Sequence, residues 1–295
     1  MSVMAKSTPT ASAKKKASPM QVMMRRLIKN PSAVIGITIL ALLLLMAATA
    51  DFIRPYDPTA IDMTIRNQSP SLQHWFGTDS MGRDILSRIM VGAKYSLALG
   101  ILNSTFSCII GLILGSICGY FGGKVDLTVM RFLDIVQAIP GMLLGIALAS
   151  VLGAGFWQTI LAIGIAGSPG FARMIRASVM SVRGTEYIEA SVLINCTTRR
   201  TIIHHVLPNA ISPILVQFTM SIASCITMAA SLSFIGLGVQ PPTPEWGAML
   251  SSAKELFRDY PYQMIIPGVF LMITVLAINL LGDALRDAMD PKLRK

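Results

Sequence analysis

The sequence predicts an all-α membrane protein with six transmembrane helices, and three observations carry that prediction. Only 14% of its 295 residues are charged, against roughly 25% in soluble domains, and its mean hydropathy is +0.61. Asp, Glu, Lys and Arg are absent from 31–50, 95–123, 135–172, 201–244 and 260–282. Windows that long match or exceed the ~20 apolar residues needed to cross ~30 Å of hydrocarbon. The net charge of +10 sits between those windows and forms no stripe interleaved with aromatic residues, so it marks membrane sidedness and excludes a nucleic-acid partner.

Residues 1–30 form a basic segment, with Lys6, Lys14, Lys15, Lys16, Arg25, Arg26 and Lys29 and no acid. The positive-inside rule puts it in the cytoplasm. The first span is 31–53. Ala48-Thr49-Ala50 resembles a leader-cleavage site, but an apolar run of twenty residues exceeds a typical h-region and reads as a retained anchor. The following loop, 54–94 with Asp51, balances Asp51, Asp57, Asp62, Asp79 and Asp84 against Arg54, Arg66, Arg83, Arg88 and Lys94, as an outside loop does. After the second span, Lys124 and Arg131 mark an inward connection.

The window 135–172 is too long for one span and breaks at Gly153-Ala154-Gly155, giving a hairpin of two spans. Pro140 kinks or opens the first of them. Arg173, Arg176, Arg183, Arg199 and Arg200 outnumber Glu186 and Glu189 on the next connection, which therefore faces inward. The fifth span runs from about 211 to 237 and the sixth fills 260–282. The tail, 286–295, ends on Lys292, Arg294 and Lys295. Residues 95–285 thus form a five-helix core, and both termini are cytoplasmic.

Gly111, Gly115 and Gly119 recur every fourth residue, as do Gly141, Gly145 and Ala149. Both seams expose backbone for close helix contact. Cys108, Cys118, Cys196 and Cys225 fall in spans or in an inward loop, so they read as small packing residues without a disulfide framework.

Catalytic chemistry has little to work with. No G-x-x-x-x-G-K-[ST] occurs, and Gly123-Lys124 is followed by Val125. His74, His204 and His205 form no H-E-x-x-H and no cluster of metal ligands. Ion coupling needs ionisable groups within the spans. The candidates, Arg131 and Asp134, are three residues apart at the mouth of the third span and read as a local helix-end pair.

The stretch 184–209 is the most informative. Thr185 can cap a short helix over 186–194, with Glu186 at its positive end, and Asn195 suits the left-handed position that ends it. Arg199 and Arg200 begin another amphipathic turn that Pro208 stops. Such an elbow, held between two spans, is built to be gripped by another protein. In the fifth span Gln217, Ser221, Ser224 and Ser231, with Thr227 adjacent, follow one helical face. That seam either lines a weakly polar path or is the Ser/Thr glue common between membrane helices.

Glu189-Ala190-Ser191, then Asn195, then His205-Val206-Leu207-Pro208 resemble the E-A-A-x-x-x-G-x(9)-I-x-L-P loop of permease subunits in binding-protein-dependent ABC importers. Ser191, Asn195 and His205 replace the family's second Ala, Gly and Ile. Phe76-Gly77-Thr78-Asp79-Ser80-Met81-Gly82-Arg83-Asp84 is similar to the L-G-T-D-x-x-G-R-D element of the dipeptide/oligopeptide/nickel permease C subunits. Gly119-Tyr120-Phe121-Gly122-Gly123, Pro241-Pro242-Thr243-Pro244-Glu245-Trp246-Gly247 and Gly282-Asp283-Ala284-Leu285-Arg286-Asp287 through Asp290-Pro291 resemble the same type, in the same order.

The resemblance implies a type I permease fold with a cytoplasmic coupling helix. It implies a non-catalytic subunit that pairs with a homologous permease as a heterodimer and provides half of a path for di- or oligopeptides. Two ATPase subunits would bind ATP and Mg, leaving no cofactor in this chain, and an extracytoplasmic peptide-binding protein would deliver substrate. Within the loop, Gly184, Glu186, Glu189, Ala190, Ser191, Asn195, Arg199, Arg200, Leu207 and Pro208 are implied in coupling. Glu189 would make a charged contact and Ala190 allow close approach, while Arg199 and Arg200 would meet the partner or anionic lipid, or simply mark topology. Gly77, Thr78, Asp79, Gly82, Arg83 and Asp84 are the outside motif. Thr78 and Asp79 are also placed to cap the helix that follows, 241–244 to form a stiff turn, and Trp246 to anchor at the membrane interface. A secondary transporter or channel working without an ATPase stands as the alternative.

Overall fold

An apolar run with Pro31 at its first position and Asn30 before it starts a helix where the sequence places one. In the computed structural model, which describes Met24 and residues 26–289, this is α1, Pro31–Ile53, and Asn30 Oδ1 accepts from the Ser32 N–H at 3.0 Å. The basic residues Lys6, Lys14, Lys15, Lys16 and Arg25, and Lys292, Arg294 and Lys295 of the tail, lie outside the described residues. The remaining helices are α2 (Ile85–Phe121), α3 (Gly123–Gln137), α4 (Gly141–Leu152), α5 (Phe156–Arg183), α6 (Glu186–Leu193), α7 (Thr198–Phe234), α8 (Trp246–Ala253) and α9 (Tyr262–Met289).

Small residues decide the packing. Gly111, Gly115 and Gly119 of α2 meet Phe171, Ile175 and Val179 of α5 in turn, so these two helices run parallel, and the first glycine seam is a helix contact. Gly36 of α1 meets Ala277 and Leu280 of α9, and Leu27 and Ala33 cluster with Ala284, so those two run antiparallel. Ile226 of α7 fills the space at Gly100, and Met220 sits at Gly282. These pairings put the start of α1, the ends of α2, α5 and α9, the start of α7, and α6 on one face. The loop 54–84, α8 and the α4–α5 turn occupy the other. The main core joins Ile85, Ile89 and Leu97 of α2 to Leu43, Trp246, Met249 and Ile278.

Four helices, α1, α2, α7 and α9, are long and apolar enough to cross a bilayer alone, and α3 with α4 makes a fifth if counted as one broken span. The chain also traverses between the faces along α5, whose 28 residues carry Gln158, Ser168, Pro169, Arg173 and Arg176 among the apolar ones. The third span, over 135–152, is opened at Pro140 as expected and is not one continuous helix. It is divided by an 85° bend between α3 and α4, because Pro140 removes a helical donor and restricts the residue before it. At 1.5 Å per residue, α4 is only about 18 Å long.

Several local expectations are corrected. Pro208 does not stop a helix: six π-helical residues, Thr201–Val206, precede it, Leu207 N–H reaches Ile202 O, and α7 continues to Phe234. Wider π turns re-route the bonds that a proline interrupts. Asp134 pairs across to Arg173 at 2.8 Å and forms no helix-end pair with Arg131. Thr185 has the extended backbone of a cap, but its hydroxyl donates back to Val182 O. Asp84, and neither Thr78 nor Asp79, caps α2, accepting from the Ser87 N–H at 2.7 Å. In the second small-residue seam Gly145 and Ala149 are packed, but no atom lies within 4 Å of where a Cβ on Gly141 would sit.

Candidate functional site

The elbow is built from helix-end chemistry. α6 has Glu186 and Glu189 in its first turn, where carboxylates meet the positive helix end. Its far end closes with a double turn in which Asn195 N–H bonds Val192 O at 2.9 Å and Cys196 N–H bonds Ser191 O at 3.1 Å. Asn195 itself sits at φ 61°, the left-handed conformation expected of it. Ile188, 2% exposed, pins α6 into a cluster with Phe171, Ile175, Val179, Val206 and Ile214. Ser191 is buried beside it, its hydroxyl donating to Ile188 O at 2.7 Å.

The rest of the elbow faces outward. Gly184, Glu186, Glu189, Ala190, Asn195, Arg199, Arg200 and Pro208 are exposed, while Leu207 is half-buried. Leu193 and Ile194 are 86% and 80% exposed, an apolar tip that water alone would not favour. A cavity of about 750 Å³ runs alongside, lined by Tyr120, Phe121, Met180, Arg183, Glu189 and Leu193 among others.

The polar seam of α7 divides into two groups. Ser221 donates to Phe218 O at 2.8 Å and contacts Ser104 Oγ, Thr227 donates to Ala223 O at 3.0 Å, and Ser231 donates to Thr227 O at 2.9 Å. These hydroxyls are satisfied within the bundle. Gln217 and Ser224 make no side-chain hydrogen bond among the described residues. With Ser221 they line a cavity of about 430 Å³ between α5, α7 and α9. Ser224, Thr227 and Ser231 line an adjoining one of about 420 Å³.

On the opposite face the G-T-D-x-x-G-R-D element ties itself into a knot. Asp79 accepts from the backbone N–H of Met81 at 2.9 Å and of Arg83 at 3.0 Å, and from Arg83 Nε at 2.7 Å. Thr78, fully buried, donates to Ile65 O and accepts from Gln68 N–H at 2.9 Å. Gly77 and Gly82 hold φ of 76° and 74°, which side chains resist. Asp84 also contacts His74 Nδ1 at 3.0 Å, both groups being buried.

Residues 111–295 match the family described as the inner membrane component of binding-protein-dependent transport systems, and residues 18–70 match the N-terminal transmembrane domain of oligopeptide transport permease C. The chain belongs to this permease family. The permease is 40% identical over 277 residues to a dipeptide transport system permease protein of Alkalihalophilus pseudofirmus, covering 94% of this chain and 91% of the relative. It is 42% identical over 278 residues to a glutathione transport system permease protein of Escherichia coli, covering 94% and 92%. A chain of the MetNI methionine ABC transporter in an inward-facing conformation has the same fold, with TM-score 0.58 and 20% identity, covering 70% of the permease and 98% of that chain.

The permease is therefore a multi-pass inner-membrane subunit, as its sequence motifs imply, and a secondary transporter finds no support in these matches. Sequence reasoning missed three features of its site. Trp246, expected at the membrane interface, is fully buried, and its indole N–H donates to Ile89 O at 3.1 Å. Glu245, 1% exposed, caps α8 by accepting from the Gly247 and Ala248 N–H groups, each at 2.8 Å. Burial pushes its carboxyl above the usual carboxylate range, against the pull of those N–H groups. Asn279 of α9 lines both cavities along α7. One uncharged polar residue in an apolar helix carries no periodic signal, though Asn inside a span is itself uncommon enough to notice.

Proposed function

We propose that this permease forms half of a translocation path for short peptides and is driven by ATPase subunits that grip its elbow from the cytoplasm. The carrying observation is the exposure of α6 and the residue that ends it: Glu189, Ala190, Leu193 and Ile194 face outward while buried Ile188 fixes the helix to the inner ends of α5 and α7. A push on α6 therefore reaches two spans at once. The curated relatives' names support the cargo, a dipeptide in one and glutathione in the other.

In this reading both chain ends and the elbow are cytoplasmic, ATP and Mg are bound by two ATPase subunits, and a second, homologous permease closes the path. A peptide-binding protein docks on the face that carries the G-T-D-x-x-G-R-D knot. Gln217, Ser221, Ser224, Thr227 and Ser231 of α7 face the path. Glu189 makes the charged contact with the ATPase and Ala190 permits close approach. Arg199 and Arg200 meet the ATPase or anionic headgroups.

The test is Glu189→Lys in the assembled transporter. Membrane insertion and ATP hydrolysis should persist while peptide uptake is lost, and unchanged uptake would sink the coupling role. Affinity purification of the permease should recover an ATPase, a second permease and a binding protein together.

A further inference from the structure

The two cavities along α7 share Ser224, Met228 and Asn279, so they form one continuous groove. No charged residue lines either cavity. Three polar side chains face it without a hydrogen-bond partner among the described residues: Gln217, Ser224 and Asn279. The other seam hydroxyls are satisfied by carbonyls of their own helix. Lipid tails cannot satisfy a carboxamide, and an unpaired polar group at membrane depth is costly. These groups are therefore aimed at something polar that visits the groove.

We infer that Gln217, Ser224 and Asn279 form a site for the main-chain amide of a peptide in transit. A carboxamide presents a donor and an acceptor side by side, the complement of a peptide N–H and C=O. It would pair with that unit in any peptide, whatever its side chains. Met142, Met220 and Met228 complete the walls, and their flexible thioethers can repack around differing side chains. The absence of lining charge lets the site hold a peptide of either sign without trapping it. This inference rests on the peptide reading above.

The test uses the complete transporter in proteoliposomes, with dialanine and its ester analogue in which oxygen replaces the main-chain N–H. Asn279→Leu should lower the uptake ratio of amide to ester about fivefold, the worth of one hydrogen bond, while Asn279→Gln keeps most of it. Any preference of the binding protein cancels between wild type and variant. An unchanged ratio overturns the site. So does Asn279→Cys if the new thiol cross-links to the partner permease and resists water-soluble reagents in every nucleotide state, because the groove is then a subunit seam. Transport of neither compound by the wild type would instead overturn the peptide reading beneath it.

Discussion

Gly115→Ala tests whether the parallel contact of α2 and α5 is set by the missing side chain. A methyl there would lie 2.5 Å from the Ala172 carbonyl oxygen and 2.9 Å from Ile175 Cβ. Carbon atoms rest about 3.5–4.0 Å apart, so the helices must separate by roughly 0.6–1.1 Å. Neither obstacle can rotate away, since one is backbone and the other is fixed to it. The same separation strains the Ser107 hydroxyl bond to Gly164 O, 2.9 Å long, two turns away. Overpacking costs about 1–3 kcal/mol and the lost bond about 1, together about 2–4 kcal/mol. Thermal unfolding of the permease in lipid nanodiscs should show the loss. Gly170→Ala on α5 is the control: no atom lies within 4 Å of its would-be methyl, and a helical Gly-to-Ala change is worth roughly 0.5–1 kcal/mol in the stabilising direction. A Gly115→Ala protein as stable as wild type would refute the close-packing argument.

Three further outcomes follow from local geometry. Asn195→Ala should destabilise the elbow by about 1–2 kcal/mol through its left-handed backbone, and Asn195→Gly should not; hydrogen exchange across 184–209 distinguishes them. Asp84→Ala removes the α2 cap and leaves buried His74 unpaired, costing about 2–4 kcal/mol, read as a lower melting temperature. Glu245 is held above its ordinary range by burial, so its folded form favours the proton. Its stability contribution is complete below the unfolded carboxylate pKa and falls as pH rises toward the raised folded value. Glu245→Gln removes the titration and keeps one carbonyl oxygen as acceptor for one of the Gly247 and Ala248 N–H groups, so its melting temperature should lose that pH dependence; an unchanged pH profile would contradict the assignment.

The acidic start and left-handed end of the elbow helix were legible in the sequence because both devices are local, whereas the Thr185 cap and the Pro208 stop did not form as expected. Glu186 and Glu189 at a helix start, and Asn195 where the chain must turn left-handed, need only their near neighbours to take effect. The apolar-length rule alone would make 135–152 one straight helix, and it is Pro140, expected to kink or open that span, that marks where the backbone bends by 85°. The rule weighs composition and does not weigh the hydrogen-bond ladder.

Charge-free windows, alternating loop charge and glycine spacing are properties of the chain alone: an uncharged apolar run needs no particular neighbour to enter hydrocarbon, whereas a charged one needs a partner. They determined the membrane class and the α2 seam. Partnership was left to the tertiary structure. Only there does Asp134 find Arg173, Trp246 reach Ile89, and the seam of α7 separate into hydroxyls satisfied by their own helix and groups that open onto a cavity with Asn279. A polar side chain is defined energetically by what it faces after folding, and hydrogen-bonded side chains here lie as many as 196 positions apart in sequence.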